Sequence, residues 1–374
     1  MRDGGFIGSL CPLSRMSGTV DRGDRDPGDD APRAVVVDDS SFMRAVISDL
    51  LSDADIPVVG EASDGKEAIE VVAEARPDVV TMDVEMPRMD GLEALDRIMA
   101  ETPTPVLMLS AYTDEGAEVT FEALDRGAVD FFAKPGGEVS SGVSRERDRL
   151  VEAVRSAAAA DLEAATRDRT PTDSRTSVAA STVEIEQPLT VVIGASTGGP
   201  NAVEHVMAAL PETNCRVLVV QHMPAAFTER FADRLDGVSA YDVSEATDGD
   251  RIGPGEALVA PGGTHTRVDS YRAGRLRVRL EEDDSLPVTP AVDVTMKSAA
   301  QAVDDPLVGV VLTGMGSDGA EGIRAVREAG GRTLAQSEDT CVIYGMPRRA
   351  VETGAVDDVR DLDAIADAIV GGVS

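Results

Sequence analysis

Cysteine, histidine and lysine are rare in this chain, and tryptophan is missing. There are three cysteines and three histidines, and Lys66, Lys134 and Lys297 are the lysines among 35 basic residues. The cysteines have no metal-ligand or redox spacing, which favours a reducing compartment. No apolar run is long enough to span a bilayer, and the N-terminus lacks the pattern of a signal peptide. We therefore expect a cytoplasmic protein without membrane insertion.

Positive charge is also scarce. The 35 basic residues face 68 acidic ones, for a net charge of −33. An excess of this size repels phosphate backbones and anionic lipid, so it argues against nucleic acid or membrane as the main partner. Arginine in place of lysine, with mostly aspartate as the acid, suggests adaptation to a salt-rich cytoplasm, where ions screen self-repulsion. Unfolding on dilution into low salt would support this halophile hypothesis, and full stability in dilute buffer would contradict it.

The apolar pattern divides the chain into two α/β domains. Residues 1–32 are rich in Gly, Asp, Pro and Arg without periodicity and are predicted to be disordered, with Met16 as an alternative start. Residues 33–160 alternate five short apolar strands with amphipathic helices, the last helix being predicted over Ser144–Ala165. That spacing predicts a parallel sheet covered on both faces.

A second α/β pattern follows a linker. Residues 161–188 are rich in Ser, Thr, Asp and Arg and contain nothing that could build a core. Residues 189–374 again alternate strands and helices, except for a Gly-rich, hairpin-like stretch over residues 239–280. The prediction is a second, doubly wound α/β domain.

Carboxylates, a hydroxyl and an amine follow successive strands of the first domain. Asp38 and Asp39 end the first strand and Asp83 ends the third, while Ser110 ends the fourth and Lys134 follows the fifth. The carboxyl ends of parallel strands form a binding crevice. Three carboxylates there repel one another unless a hard cation lies among them, and oxygen ligands favour Mg²⁺. This set suits transfer of a phosphoryl group onto Asp83, whose oxygens the metal and Lys134 would neutralise.

Residues 33–160 resemble the receiver domain of two-component response regulators. The resemblance lies in Val-Asp38-Asp39-Ser-Ser, Met-Asp83-Val-Glu-Met-Pro-Arg-Met-Asp-Gly, Leu-Ser110-Ala-Tyr and Phe131-Phe132-Ala-Lys134-Pro135. It implies a flavodoxin-like fold with a five-stranded parallel sheet and phosphorylation of Asp83 by a histidine kinase. It further implies that Asp39, Asp83 and the backbone carbonyl of Glu85 hold Mg²⁺, with Asp38 assisting through water. Ser110 and Phe131 match the family's switch positions.

The second domain carries a serine in a tight turn. Gly194-Ala-Ser196-Thr-Gly198 follows a strand and precedes a helix, which fits the Gly-x-Ser-x-Gly pattern that presents a nucleophilic hydroxyl above a sheet. The helix N-terminus behind it offers N–H groups for an oxyanion. The alternative is a phosphate-binding loop in which Ser196 caps the helix.

A nucleophilic serine needs a base and an acid that orients it. His222 directly follows the neighbouring strand, whereas His205 falls inside a helix and His265 in the Gly-rich region. Asp318 follows a later strand at the same edge. Asp293 begins a helix, where aspartate is a common cap. Spacing alone leaves the choice between the two aspartates open.

Two other patterns bear on this interpretation. The order Ser, His, Asp differs from the Ser, acid, His order of α/β-hydrolases, which disfavours that fold. Gly314-x-Gly316-x-x-Gly319 matches a dinucleotide-binding fingerprint, with Glu338 and Asp339 about 20 residues further on. The acidic Asp318 inside that turn weakens the cofactor interpretation, which would also leave Ser196 and His222 unexplained.

Residues 189–370 resemble the catalytic domain of the chemotaxis protein-glutamate methylesterase family, CheB. The resemblance lies in Ile-Gly-Ala-Ser196-Thr-Gly-Gly, Gln221-His222-Met-Pro, Ala-Pro-Gly-Gly-Thr-His265, Pro-Ala-Val-Asp-Val and Leu-Thr-Gly-Met-Gly-Ser-Asp318-Gly. It implies a catalytic triad of Ser196, His222 and Asp318. Receiver, linker and esterase also match that family's domain order.

The resemblance implies a phosphorylation-activated enzyme of chemotactic adaptation, from a halophilic archaeon. It would hydrolyse glutamate γ-methyl esters on chemoreceptors and deamidate receptor glutamines, without a cofactor in the esterase domain. The N–H groups of Thr197 and Met315 are the expected oxyanion donors. The rival functions are a non-enzymatic phosphorylation switch and a serine hydrolase that acts on a small metabolite.

Overall fold

The N-terminal domain is built on a five-stranded parallel sheet. The computed structural model describes residues 31–110, 114–134, 143–162, 188–283 and 285–371. The strands lie in the order β2-β1-β3-β4-β5, with the bounds β1 (Ala34–Val37), β2 (Val58–Ala62), β3 (Val79–Asp83), β4 (Val106–Ser110) and β5 (Asp130–Ala133). Strands β1, β3 and β4 are buried at every residue, as expected for a sheet covered on both faces.

Five helices accompany this sheet: α1 (Ser41–Ser52), α2 (Gly65–Ala75), α3 (Gly91–Glu101), α4 (Asp114–Arg126) and α5 (Val143–Ala158). The first three begin at side chains that accept N–H groups of the first turn, namely Ser40, Asp64 and Asp90. Such caps satisfy donors that have no partner inside the helix. These caps therefore define where α1, α2 and α3 begin.

Helix α5 ends earlier than the sequence predicted. It stops at Ala158, whereas the periodicity suggested a helix to residue 165, of which residues 163–165 lie outside the described residues. The N–H of Asp161 donates to the carbonyl of Val342, 3.0 Å away, so the chain turns to the C-terminal domain. Residues 1–30 and 163–187, most of the predicted disordered extension and linker, also lie outside the described residues.

The C-terminal domain contains a seven-stranded parallel sheet in the order β15-β14-β13-β6-β7-β10-β8. Its strands are β6 (Leu189–Ala195), β7 (Cys215–Gln221), β8 (Asp242–Glu245), β10 (Glu256–Val259), β13 (Leu307–Val311), β14 (Arg332–Gln336) and β15 (Asp358–Arg360). Its helices are α6 (Gly199–Ala209), α7 (Ala225–Val238), α8 (Val292–Ala302), α9 (Ala320–Glu328), α10 (Met346–Glu352) and α11 (Leu362–Val370). The predicted α/β fold class is confirmed for both domains.

The hairpin-like stretch of residues 239–280 divides between two sheets. Strands β11 (His265–Arg272) and β12 (Arg275–Glu281) pair antiparallel, and β9 (Arg251–Ile252) joins them. Strands β8 and β10 instead pair in parallel at the edge of the main sheet. The hairpin prediction is therefore wrong for this first part, because strands of four residues carry too little periodicity to reveal which sheet they join.

The two domains pack through aromatic rings. From Pro32 onward the chain forms one compact unit. Phe121 of α4 stacks on Phe231 of α7, with ring centroids 6.0 Å apart. Arg234, also on α7, donates two hydrogen bonds to the carboxylate of Asp125 at 2.5 and 3.1 Å. Helix α7 is thus the main contact of the C-terminal domain with α4.

Among the described residues, no helix is both long and apolar enough to cross a bilayer.

Candidate functional site

Ser196 lies in the tight turn between β6 and α6. Its N–H donates to the carbonyl of Thr313 at 3.0 Å, and its own carbonyl accepts the N–H of Gly199 at 2.7 Å. Gly198 has a φ of +73°, in the left-handed region that glycine adopts without strain. The turn leaves the serine half-buried, two residues before Gly198, the N-cap residue of α6.

His222 is brought to the same edge by β7. Strand β7 pairs with β6 in parallel, with Gln221 opposite Ala195, and the N–H of His222 donates to the carbonyl of Ala195 at 3.0 Å. The imidazole Nε2 lies 2.8 Å from Oδ2 of Asp318. The structure therefore brings together the histidine and aspartate predicted from sequence, beside the turn that carries Ser196.

The carboxylate of Asp318 is held by the start of α8. Oδ2 accepts the N–H of Val292 at 2.6 Å, and Oδ1 accepts the N–H of Asp293 at 3.0 Å. Burial alone would raise the pKa of Asp318, but the hydrogen bond and charge of His222, with these two N–H groups, hold that pKa below its usual value. Asp318 is thus an ionised acceptor, and Nε2 of His222 carries the shared proton. Nδ1 is then the nitrogen free to act as a base.

Asp293, the other candidate acid, has a different partner. Its Oδ1 accepts the N–H groups of Gly319 and Gly322 at 3.0 and 2.7 Å, so it caps helix α9. Burial and the charge of Asp318 raise its pKa, against the Gly322 N–H and the charge of Lys297. Of the two aspartates that the sequence left open, Asp318 contacts the histidine and Asp293 caps a helix.

This arrangement explains the glycine fingerprint without a dinucleotide. A Cβ on Gly314 would lie 2.7 Å from the Cβ of Ser196, so this glycine lets the loop approach the serine. Gly316 and Gly319 both have a φ of +91°. The first-turn N–H groups of α9, where a pyrophosphate would bind, are already bonded to Asp293.

The expected oxyanion donors lie on either side of the serine. Thr197 is buried directly after it, and its carbonyl accepts the hydroxyl of Thr313 at 3.0 Å. Met315 is 36% exposed and follows Gly314, which packs against Ser196. Thr197 and Met315 are therefore near the nucleophile, and their role as donors stays a prediction.

Gln221 is a residue that sequence reasoning missed as part of the site. Its side chain is buried, and its Nε2 donates to the carbonyls of Ser196 at 2.8 Å and His222 at 3.2 Å. A Cβ on Gly199 would lie 2.1 Å from Oε1 of Gln221, so the second glycine of the turn makes room for this amide. One side chain thus ties the backbone of the serine to that of the histidine. Its position directly before His222 was the signal available in the sequence.

The other two histidines have structural partners. His205 on α6 lies 2.7 Å from a carboxylate oxygen of the exposed Asp363. His265 is buried at the start of β11, where Nδ1 accepts the N–H of Ala291 at 3.1 Å and Nε2 donates to the carbonyl of Asp283 at 3.1 Å. His265 therefore anchors the segment that leads into α8.

The predicted carboxylate cluster forms at the end of the N-terminal sheet. Oxygens of Asp38, Asp39 and Asp83 lie within 4.8 Å of one another. Nζ of Lys134 is 2.8 Å from Asp38 and 2.7 Å from Asp83. Burial raises the pKa of Asp83, and the nearby Asp38 adds to this, although Lys134 opposes both. Burial lowers the pKa of Lys134, but the two carboxylates outweigh it and raise that pKa overall.

The donor set of this cluster fits Mg²⁺. Three close carboxylates supply hard oxygen ligands and more negative charge than one ammonium neutralises. The exposed Asp39 leaves one side open to solvent, as a metal that keeps waters requires. Glu85 is exposed at the rim, and its N–H donates to Asp83; the role of its carbonyl as a ligand stays a prediction.

The two predicted switch positions lie on neighbouring strands. Ser110 is buried at the end of β4, and Phe131 is 9% exposed on β5. The ring of Phe131 contacts the ring of Phe121 of α4 edge-on, with centroids 6.1 Å apart. Its centroid lies 4.5 Å from that of Phe227 of α7. Phe131 therefore touches both its own domain and the C-terminal one.

Family models match both domains. Residues 34–140 match the response regulator receiver domain, and residues 191–369 match the CheB methylesterase. A crystal structure of the Thermotoga maritima CheB methylesterase catalytic domain is 38% identical and covers 49% of this chain and 97% of that one, with a TM-score of 0.47.

Relatives match along nearly the whole length. The chain is 57% identical over 364 residues to the protein-glutamate methylesterase/protein-glutamine glutaminase of Haloarcula marismortui, covering 92% of this chain and 98% of the relative. A protein of the same name from Pyrococcus abyssi is 44% identical over 344 residues, covering 91% of this chain and 93% of the relative.

Proposed function

The chain belongs to the CheB family of receiver-linked protein-glutamate methylesterases, and we propose that it hydrolyses glutamate γ-methyl esters on chemoreceptors under the control of phosphorylation at Asp83. The observation that carries this proposal is the His222–Asp318 hydrogen bond beside the turn of Ser196. The similarity to relatives from halophilic archaea agrees with the halophile hypothesis drawn from composition.

The catalytic step follows from the assigned proton positions. Nδ1 of His222 removes the proton of Ser196 as the hydroxyl oxygen attacks the ester carbonyl. Asp318 stabilises the imidazolium that forms, because its carboxylate already accepts the Nε2 proton. The imidazolium then protonates the departing methoxide, which leaves as methanol, and the serine remains acylated.

Water completes the cycle. His222 removes a proton from a water molecule, which attacks the acyl-serine, and the imidazolium then returns a proton to the departing serine oxygen. Free Ser196 and neutral His222 are regenerated, and the glutamate product ionises to its carboxylate. The N–H groups of Thr197 and Met315 are proposed to stabilise the oxyanion of each tetrahedral intermediate. A glutamine side chain presents the same carbonyl with ammonia as the leaving group, so deamidation is proposed as a second activity of the same triad.

Phosphorylation acts at the other site. Asp83 is proposed to receive the phosphoryl group from a chemotaxis histidine kinase, with Lys134 placed to bind its oxygens. Asp38, Asp39 and Asp83 would hold Mg²⁺, which supplies charge neutralisation for the phosphoryl group. Ser110 and Phe131 are proposed to change conformation when the group arrives.

The contact between domains supports control by occlusion. Oγ of Ser156, on α5, donates to Oγ1 of Thr197 at 3.1 Å. Thr197 is the residue directly after the nucleophile, so the receiver reaches the edge of the catalytic turn. Phosphorylation is proposed to shift a two-state equilibrium toward an open form in which a receptor helix can reach Ser196.

The test is methanol release from methylated receptor membranes in molar KCl with Mg²⁺, with and without a small-molecule phosphodonor. Ser196→Ala is expected to abolish release. His222→Gln is expected to reduce it severely, while the matched control His205→Gln, at the exposed pair with Asp363, keeps it. Stimulation by the phosphodonor is expected to disappear in Asp83→Asn.

Each rival function predicts a different result. Release that survives Ser196→Ala would overturn the serine mechanism. No release under any condition, with Asp83 still phosphorylated, would leave a phosphorylation-controlled binding protein or a hydrolase of another substrate. Unchanged basal activity after deletion of residues 1–188 would contradict occlusion.

A further inference from the structure

Two aspartates of the C-terminal domain, Asp318 and Asp293, each accept backbone hydrogen bonds from the segment that carries the other. Asp318 lies in the loop before α9, and its carboxylate accepts N–H groups from the start of α8. Asp293 lies in the first turn of α8, and its carboxylate accepts N–H groups from the start of α9. Asp318 therefore caps α8, and Asp293 caps α9.

The loop that carries Asp318 is anchored at its start by Gly314, whose N–H donates to the carbonyl of Ile343 at 3.0 Å, and at its end by these bonds and by the Gly319 N–H, which also donates to Oδ1 of Asp318 at 3.0 Å. It contains Gly316 and Gly319, both with positive φ, and glycine leaves a backbone free to adopt many conformations. Helix α9 has no capping side chain of its own, since its N-cap residue is Gly319. Asp293 supplies that cap from another helix, through Gly319, the residue directly after Asp318.

We infer that Asp293 is a positioning residue for the methylesterase reaction: it fixes the loop so that the Asp318 carboxylate faces Nε2 of His222. Its backbone N–H holds Oδ1 of Asp318 at 3.0 Å, while its side chain holds the N–H of Gly319 at 3.0 Å. Asp293 thus bonds both the carboxylate of Asp318 and the peptide N–H that directly follows it. This inference rests on the proposed function, because it concerns the orientation of the proposed catalytic acid.

The hydrogen bonds of Asp293 also indicate which property of its side chain the positioning requires. Its Oδ1 accepts both N–H bonds, and an amide oxygen has the two lone pairs needed to accept both. Removal of the acceptor releases the loop, whereas removal of the charge alone leaves these bonds intact. Asp293→Ala and Asp293→Asn therefore separate positioning from electrostatics.

The activity test compares these variants in the full chain. A misplacement of about 1 Å in a catalytic group costs on the order of 100-fold in rate, so Asp293→Ala is expected to lower kcat by roughly 10- to 100-fold with KM unchanged. Asp293→Asn is expected to restore a nearly wild-type kcat. The matched control is Asp90→Ala, which removes a comparable cap from α3 in the other domain and should leave kcat unchanged.

A measurement without substrate separates positioning from a loss of stability. The proton between His222 Nε2 and Asp318 is expected to give a downfield proton NMR signal, which Asp293→Ala should abolish or broaden and Asp293→Asn should keep. If the signal and kcat are both unchanged in a folded Asp293→Ala variant, the inference is wrong. A kcat loss in Asp293→Asn equal to that in Asp293→Ala would also overturn it. If the wild-type protein releases no methanol in a Ser196-dependent way, the proposed function fails instead.

Discussion

The ring of Phe131 lies 4.5 Å from the ring of Phe227, at an angle of 40°. The first ring belongs to a predicted switch position of the receiver, and the second belongs to helix α7 of the esterase domain. A change in the orientation of Phe131 would therefore alter the packing between domains directly. This contact gives the proposed phosphorylation signal a short path from Asp83 to the esterase.

The ion pair between Asp125 and Arg234 should help to keep the enzyme closed. Asp125→Asn removes a partly exposed pair worth about 0.2–1 kcal/mol, so basal methanol release should rise by about 1.4- to 5-fold without phosphodonor. The gain should shrink as KCl is raised, because salt screens the pair. Asp233→Asn is the control, since Asp233 pairs with Arg230 within α7. Equal effects of the two substitutions would contradict the prediction.

Basal activity should depend on the ionisation of Asp130. Although part of this residue reaches solvent, burial of its carboxyl raises its pKa to about 6, against the Phe131 N–H and the Thr197 hydroxyl, which lower it. Once the domains separate, its pKa should return to the ordinary value near 3.8. The closed form therefore binds this proton more tightly than the open form. The resulting stabilisation of the closed form is complete below the ordinary pKa of 3.8 and is lost as the pH rises to about 6.

The ratio of wild-type to Asp130→Asn basal activity measures this effect, because the ionisations of the catalytic groups cancel in the ratio. The ratio should rise with pH between about 4 and 6 and level off above that range. A ratio that is flat across this window would show that the Asp130 carboxyl does not report domain closure.

We expect Gln221 to affect kcat, although its side-chain amide bonds to the backbone carbonyls of Ser196 and His222. Gln221→Met keeps most of the side-chain volume but removes the donor that joins the carbonyls of Ser196 and His222. A shift of either residue should lower kcat by roughly 100-fold, with KM little changed. Steady-state kinetics with methylated receptor would check this, and a rise in KM alone would contradict it.

The hydrogen bonds of the buried Arg216 should contribute to the free energy of unfolding without affecting kcat. Arg216 is fully buried and donates to Asp305 at 3.0 Å and to Thr190 at 2.9 Å. Loss of one partner from a buried ion pair costs about 3–5 kcal/mol, so Asp305→Ala should lower the free energy of unfolding by about 3 kcal/mol. Arg216 and Thr190 lie near the starts of β7 and β6, whereas the proposed catalytic residues follow the strand ends. Calorimetry should show the loss, with kcat unchanged in the folded variant.

Most of the fold could be predicted because its signals are local. The strands of the N-terminal sheet are apolar runs that start and end abruptly, and Ser40, Asp64 and Asp90 mark the helix starts. The parallel pairing of β8 and β10 could not be predicted, since it depends on contacts with β7 and not on their own four residues.

The site was harder to predict where it depends on distances between helices. Ser196 and His222 follow strands that are adjacent in the sheet, so a pattern of strand ends identifies them. The choice between Asp318 and Asp293 could not be made in this way, because each contacts the start of the other's helix. Gln221 gave no signal beyond its neighbour, since a buried amide that bonds two carbonyls resembles any polar residue at a strand end.

The hydrogen bond between Ser156 and Thr197 joins the receiver to the residue directly after the proposed nucleophile. Under the proposed function, a receptor segment that reaches Ser196 would displace α5 from Thr197, so substrate and receiver would compete for the same surface. By thermodynamic linkage, a high local density of methylated receptors would then act as an activating ligand in its own right. Adaptation would respond to how closely receptors are clustered in the membrane, as well as to the kinase.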